Sequence, residues 1–306
     1  MKPVVTKARP FLKWAGGKAQ LLDQIVKRLP NELRRGLIRK YAEPFVGGGA
    51  LFFCIAQKFE LDRFLIADVN DELILAYRTV KKDVLSLIEY LKEMQRKYHR
   101  LSPSRQEEYF YTIRFQLNER RPDINYHRFD ESWIERTAQI VFLNHTCFNG
   151  LFRVNSKGEF NVPFGRYKNP MICSEENLRE VSKLLQHTQI CLGDFTECES
   201  FVTPKTFVYF DPPYRPISKT ASFTSYSRYD FDDSSQLRLA SFVRLLDKKG
   251  AALMLSNSDP KNGNPRDHFF ENAYKDFQIM RVRANRMINC NAEKRGAIKE
   301  LLITNY

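Results

Sequence analysis

Five short apolar runs, KYAEPF (40–45), RFLIAD (63–68), QICLGD (189–194), FVYFD (207–211) and AALMLSNS (251–258), each stop at an acid, a glycine or a polar turn. Amphipathic helical segments lie between several of them. Parallel strands need crossover connections, and helices supply them, so this alternation predicts an α/β fold with a doubly wound, mostly parallel sheet. Two of the helices are explicit. KAQLLDQIVKRLP places Leu21, Leu22, Ile25, Val26 and Leu29 on one face and stops at Pro30, and SSQLRLASFVRLLDKKG ends at Gly250. Two further strand candidates, 277–284 and 299–306, have no helical segment between them. They are expected to pair antiparallel at one edge, completing seven strands.

Residues 72–188 break this rhythm. They are long, helix-rich and carry more Lys and Arg than Asp and Glu. An insertion of that size in an α/β sheet is expected to recognise substrate, or else to act as a helical buttress. The expected division is a catalytic domain of 1–71 and 189–306 and a target-recognition domain of 72–188. The formal net charge of +13 favours a polyanionic partner, nucleic acid first. The six cysteines form no C-x-x-C pair, so neither a zinc site nor a disulfide framework is suggested and no metal is expected. Reduced thiols in a cytoplasm fit better. No leader peptide or membrane span is indicated.

In open parallel sheets, ligands bind beyond the carboxyl ends of strands, and the acids and glycines fall there. Gly47, Gly48 and Gly49 follow the first strand directly, as a ligand-approach loop or a tight strand-to-helix turn. Asp68 ends the second strand, where an acid accepts from ribose hydroxyls or caps the next helix. Asp194 ends the third and could accept from an adenine amine or be a plain turn residue. These residues describe a nucleoside-containing cofactor, and the absence of G-x-x-x-x-G-K-[ST] disfavours ATP hydrolysis. The fourth strand ends in Asp211, Pro212, Pro213 and Tyr214. Two prolines in succession stiffen the turn and expose carbonyls without a strand partner. An aromatic amine set against this turn would give one N–H to Asp211 and the other to the Pro212 carbonyl. Its nitrogen lone pair would be freed from the ring, and Tyr214 would supply a stacking face.

DPPY, with FLKWAGGK (11–18) and EPFVGGGALFF (43–53), resembles the DNA adenine-N6 methyltransferases of the Dam/DpnII type. The likeness runs from Phe11 to Tyr306 and includes CFNGLFRVNSKGEFNVPFGRYKNP (147–170), FTSY (223–226) and LSNS (255–258). It implies a Rossmann-like methyltransferase fold with S-adenosylmethionine as cofactor. It puts Trp14, Lys18, Phe45, Gly47, Gly48, Gly49, Asp68, Asp194, Phe195 and Asp211 around that cofactor. By themselves Trp14 reads as ordinary core and Lys18 as an exposed helix-start lysine. The stretch 149–170 reads as a hairpin turning at Ser-Lys-Gly, a shape that fits the major groove. By resemblance it is the recognition hairpin. Arg153 would read a guanine, Leu151 and Pro163 would touch base edges, Asn149 would face the flipping site, and Phe148 would help hold the opened stack. Arg166, Tyr167 and Lys168 would contact phosphates. The loop 215–233 is expected to be a flap, or a plain surface loop, and 281–296 a second basic contact. The implied function is methylation of adenine in double-stranded GATC, protecting host DNA beside a restriction endonuclease with which no stable complex is implied. The alternatives are a silent DNA-binding protein or adenine methylation at another site. The setting implied is the cytoplasm of a bacterium, or a phage.

Overall fold

The structure is a computed structural model that describes residues 8–14, 16, 18, 21–216, 231–285 and 297–306. Most of the expected flap, with FTSY, and most of the 281–296 stretch lie outside the described residues. Seven strands are described: β1 (Lys40–Glu43), β2 (Arg63–Asp68), β3 (Thr188–Leu192), β4 (Thr206–Phe210), β5 (Ala252–Ser258), β6 (Gln278–Asn285) and β7 (Ala297–Thr304). They form one sheet in the order β3-β2-β1-β4-β5-β7-β6. Strands β1 to β5 pair in parallel. β7 is antiparallel to both β5 and β6, as the lack of an intervening helix predicted. The strand order reverses between β1 and β4, so the loops after these two strands open side by side at a topological switch point.

Each central strand alternates side chains between two apolar cores, the period-two pattern of a sheet covered on both faces. Tyr41, Phe64, Ile66, Phe207 and Tyr209 enter one core. Ala42, Leu65, Ala67, Val208 and Phe210 enter the other. The second core is closed by α9 (Asp233–Lys248) and α10 (Phe269–Ala273). The expected end of α9 is observed: Gly250 turns the chain at φ +78°. The first core takes α1 (Leu22–Lys27), α2 (Asn31–Arg34) and α3 (Ala50–Lys58). In α1, Ile25 is fully buried and Leu22 and Val26 are half-buried, the face read from the sequence.

Between β2 and β3 come α4 (Asp71–Lys82), α5 (Val84–Arg100), α6 (Pro103–Glu119), α7 (Ser132–Thr146) and α8 (Glu175–Leu185). Their apolar faces continue the first core, so the helical layer and the sheet share one interior. Among the described residues, no helix is long and apolar enough to cross a membrane.

One ionic knot ties this layer together. Glu72 on α4 and Arg136 on α7 are both 3% exposed and are paired. Arg136 Nε donates to Glu72 at 2.8 Å, Arg121 at 2.6 Å and the Tyr126 hydroxyl at 2.7 Å. Removing one partner of such a pair leaves a buried charge unmatched. Glu72→Ala should lower unfolding free energy by about 3–5 kcal/mol. Urea denaturation checks this, and a loss under about 1 kcal/mol would show that the knot is dispensable.

Candidate active site and nucleic-acid interface

β4 delivers Asp211 to the switch point. Its carboxylate accepts from Lys18 Nζ at 2.9 Å and from Ser256 Oγ at 2.9 Å. Burial raises the Asp211 pKa, and Lys18 and Ser256 oppose that rise. Lys18 is not the exposed lysine its position suggested: its side chain is 10% exposed and its ammonium stands 4.1 Å over the Tyr214 ring. The Tyr214 hydroxyl donates to Glu300 at 2.7 Å. Gln236 donates to the Pro213 carbonyl at 3.0 Å, while no described residue donates to the Pro212 carbonyl.

The turn is locked from β5. Asn257 accepts from the Arg215 N–H at 3.1 Å and Ser258 Oγ donates to the Arg215 carbonyl at 2.6 Å. Arg215 is itself paired with Asp233 and Asp267. Ser256, Asn257, Ser258, Gln236 and Glu300 were not assigned roles from sequence. The available signal was a core strand ending in three polar residues, all of which are buried.

Beside this turn lies the glycine loop after β1. Gly47 has φ +47°, and a Cβ there would lie 3.0 Å from the Trp14 ring. Gly49 has φ +71°, and a Cβ there would meet the Tyr77 hydroxyl at 2.7 Å. Asp68 accepts from the Gly47 N–H at 3.1 Å and from the Asn70 N–H at 2.9 Å. The cap of α4 is Asn70, so Asp68 is not the helix cap that was its alternative reading. Burial raises the Asp68 pKa. Phe45 and Phe195 have ring centroids 5.7 Å apart, and Phe231 sits edge-on to Phe45 at 5.7 Å. Asp194 accepts from the Thr196 N–H at 3.1 Å and is paired with Arg238. Burial works against its charge, but these partners hold its pKa below the usual value.

The N-terminal segment joins this end to the expected recognition hairpin. The Trp14 ring stacks on Phe152 at 4.9 Å and 18°. Asn144, fully buried on α7, accepts from the Lys13 N–H at 2.7 Å and donates to the Lys13 and Gly150 carbonyls at 2.9 and 3.1 Å. Lys13 Nζ lies 5.7 Å from the Tyr167 ring centroid. The hairpin is sparser than its sequence suggested. Its arms are bridged only at Cys147–Phe164 and Val154–Phe160, and neither forms a full strand. It turns at Asn155–Glu159, with Gly158 at φ +81°. Leu151 is half-buried, whereas Phe148, Asn149, Arg153, Pro163, Arg166 and Lys168 are exposed. Asn149 and Arg166 have φ of +58° and +53°, a conformation that costs a non-glycine residue energy and often marks functional sites.

Residues 14–288 match the D12 class of N6 adenine-specific DNA methyltransferases. The chain belongs to that family. Over 98% of its length, this methyltransferase is 51% identical to all of the type II methyltransferase M.MjaIII of Methanocaldococcus jannaschii. It is 40% identical to a type II methyltransferase of Lactococcus lactis, covering 97% of this chain and 95% of that one. It is 36% identical to the DNA adenine methylase of Haemophilus influenzae, covering 99% and 95%. An adenine methyltransferase with a mostly parallel seven-stranded sheet is what the DPPY turn and the strand rhythm predicted.

One buried acid of this methyltransferase lies beneath the site. Glu43, at the end of β1, accepts from the Tyr41 hydroxyl at 2.6 Å. Burial pushes its pKa from 4.5 up to about 8. The folded chain therefore holds a proton at Glu43 that the unfolded chain releases above its usual pKa. That contribution to stability is fully present below about 4.5 and is lost as pH rises through about 8. Glu43→Gln should flatten the dependence of melting temperature on pH across this window and melt higher than wild type at its upper end. A gap between the two proteins that does not move toward the variant as pH rises would refute this.

Proposed function

We propose that the protein transfers a methyl group from S-adenosylmethionine to the exocyclic N6 of adenine in double-stranded GATC. The single observation that carries this reading is the Asp211 turn. A carboxylate paired with Lys18 stands next to a proline carbonyl that no described residue occupies, at the switch point of the sheet.

The surrounding residues fit the cofactor. Asp68 offers a carboxylate to ribose hydroxyls at the end of β2. Phe45 and Phe195 offer apolar faces to a purine. Asp194, paired with Arg238 and capping Thr196, stands at the end of β3 where a carboxylate can accept from an adenine amine. Trp14 and the glycine loop bound the same space. When bound, S-adenosylmethionine supplies an electrophilic methyl on a sulfonium.

The protein's own groups prepare the nucleophile. Asp211 and the Pro212 carbonyl each accept one amine hydrogen of the target adenine, which withdraws its lone pair from the ring. Ser256 and Lys18 fix the carboxylate, Tyr214 gives the base a face, and the Tyr214–Glu300 bond fixes that face. The electrostatics are set before the base arrives, which is where such sites gain most of their rate. The base must leave the duplex, at a cost of a few kcal/mol. Phe148, 54% exposed beside the left-handed Asn149, suits the vacated stack.

Residues 72–188 supply recognition. Arg153 reads a guanine, Leu151 and Pro163 touch base edges, and Arg166, Tyr167 and Lys168 set register on phosphates. The target GATC rests on the likeness of 147–170 to the Dam/DpnII segment. Two relatives are named type II methyltransferases, and the reading extends to protection of host DNA beside a restriction endonuclease, in a cytoplasmic setting.

Tritium transfer from labelled S-adenosylmethionine should occur on a GATC duplex and not on a GTTC control. Equal counts on both would reject the target, and none on any DNA would leave a binding protein. Asp211→Ala should abolish transfer while retaining DNA binding, and wild-type turnover in that variant would defeat the mechanism. Arg153→Ala should relax discrimination by about 1–3 kcal/mol at one base pair. Competition between duplexes reads this out, and unchanged discrimination at all four positions would remove its role.

A further inference from the structure

The return arm of the recognition segment has an unforeseen neighbour. Residues 160–166 run antiparallel along α6, contact by contact. Asn118 Oδ1 accepts from the Phe160 N–H at 2.8 Å, and its Nδ2 donates to the Phe160 carbonyl at 3.1 Å. One turn back, Arg114 donates to the Val162 carbonyl at 3.4 Å. Another turn back, the Phe110 ring lies 5.4 Å from the Phe164 ring. Glu107 then stands 3.8 Å from the Arg166 guanidinium.

Two strand residues thus match each helical turn. The register is physically natural: two extended residues rise about 6.6 Å and one α-turn about 5.4 Å, a mismatch that side chains absorb over three steps. The helix takes the place of a neighbouring strand, and Asn118 alone supplies a donor and an acceptor as a strand backbone would.

Alternation gives this shelf a consequence. Phe160 and Val162 are buried, while Asn161 is half-buried and Pro163 exposed. Asn161 donates its N–H to the Arg153 carbonyl at 3.1 Å and accepts from Arg153 Nε at 2.8 Å. No described residue accepts from the two terminal nitrogens of Arg153. The return arm therefore carries Pro163 outward and orients Arg153 through Asn161. The two arms are bridged at two points and by Phe152 against Phe160 at 5.6 Å, and α6 adds the contacts of Asn118, Arg114 and Phe110 to the return arm.

We propose that Asn118 is a positioning residue for site discrimination: it fixes the height of the return arm, and through Asn161 the reach of Arg153. This rests on reading 148–168 as the segment that meets base edges. Asn118 touches no base in this account, so its effect should appear in discrimination and not in cofactor affinity.

The test measures kcat/KM on a GATC duplex and on duplexes with one base pair substituted, for wild type, Asn118→Ala and Asn118→Asp. Calorimetry with S-adenosylhomocysteine runs alongside. In Asn118→Ala the cognate-to-substituted ratio should fall about tenfold, consistent with loss of two backbone hydrogen bonds, and the S-adenosylhomocysteine constant should stay within about twofold of wild type. Asn118→Asp keeps the acceptor and loses the donor, so its ratio should fall between; it carries the test alone if the alanine variant does not fold. A wild-type ratio in the folded variants overturns the inference, as does an equal loss on every duplex. Absence of discrimination in the wild-type protein overturns the reading of 148–168 as well, and so separates the two failures.

Discussion

A buried carboxylate at the rim of a sheet is costly to charge, and the site surrounds one with donors. Asp211 is drawn toward its neutral form by burial. Lys18 and Ser256 counter this at the same oxygen, Oδ1, one from the N-terminal segment and one from β5. Both contacts require the chain to be folded around β4. The switch point brings the glycine loop of β1 beside the same turn, and Asp68 reaches across from β2 to brace it. The arrangement depends on the strand order more than on any one residue.

The two ends of the molecule meet in a short stretch of chain. Trp14 lies against Gly47 on one side and stacks on Phe152 on the other. Asn144 fixes the backbone one residue earlier to the turn at Gly150. The glycine loop and the segment from Gly150 to Phe152 are thus separated by one aromatic ring and braced by one amide.

Much of this was legible in the sequence because it is local. Apolar runs ending in Asp68, Asp194 and Asp211 announce strands whose tips face one edge, and the Pro212–Pro213 pair marks a turn that cannot be ordinary sheet. The match of α6 to the return arm was not legible. It pairs residues 42 to 59 apart through a helix period on one side and a strand period on the other, and Asn118 looks like any polar helix residue. Ser256 and Glu300 were missed for a related reason: on a strand, the side chain that meets the site is chosen by register, which pairing sets. Taken alone Lys18 reads as exposed, since its charge gives no hint of Asp211, and only the family resemblance placed it in the pocket.

The insertion of β7 between β5 and β6 has a consequence for biosynthesis. β7 is made after β6 yet occupies the more interior place, and it carries Glu300, which anchors Tyr214. A ribosome that has not yet extruded β7 holds a chain whose β5 lacks a neighbour on one side and whose Tyr214 has no anchor. The Asp211–Tyr214 turn of a nascent chain therefore lacks its Glu300 anchor until translation has passed this strand, and β7 both fills the sheet beside β5 and supplies that anchor.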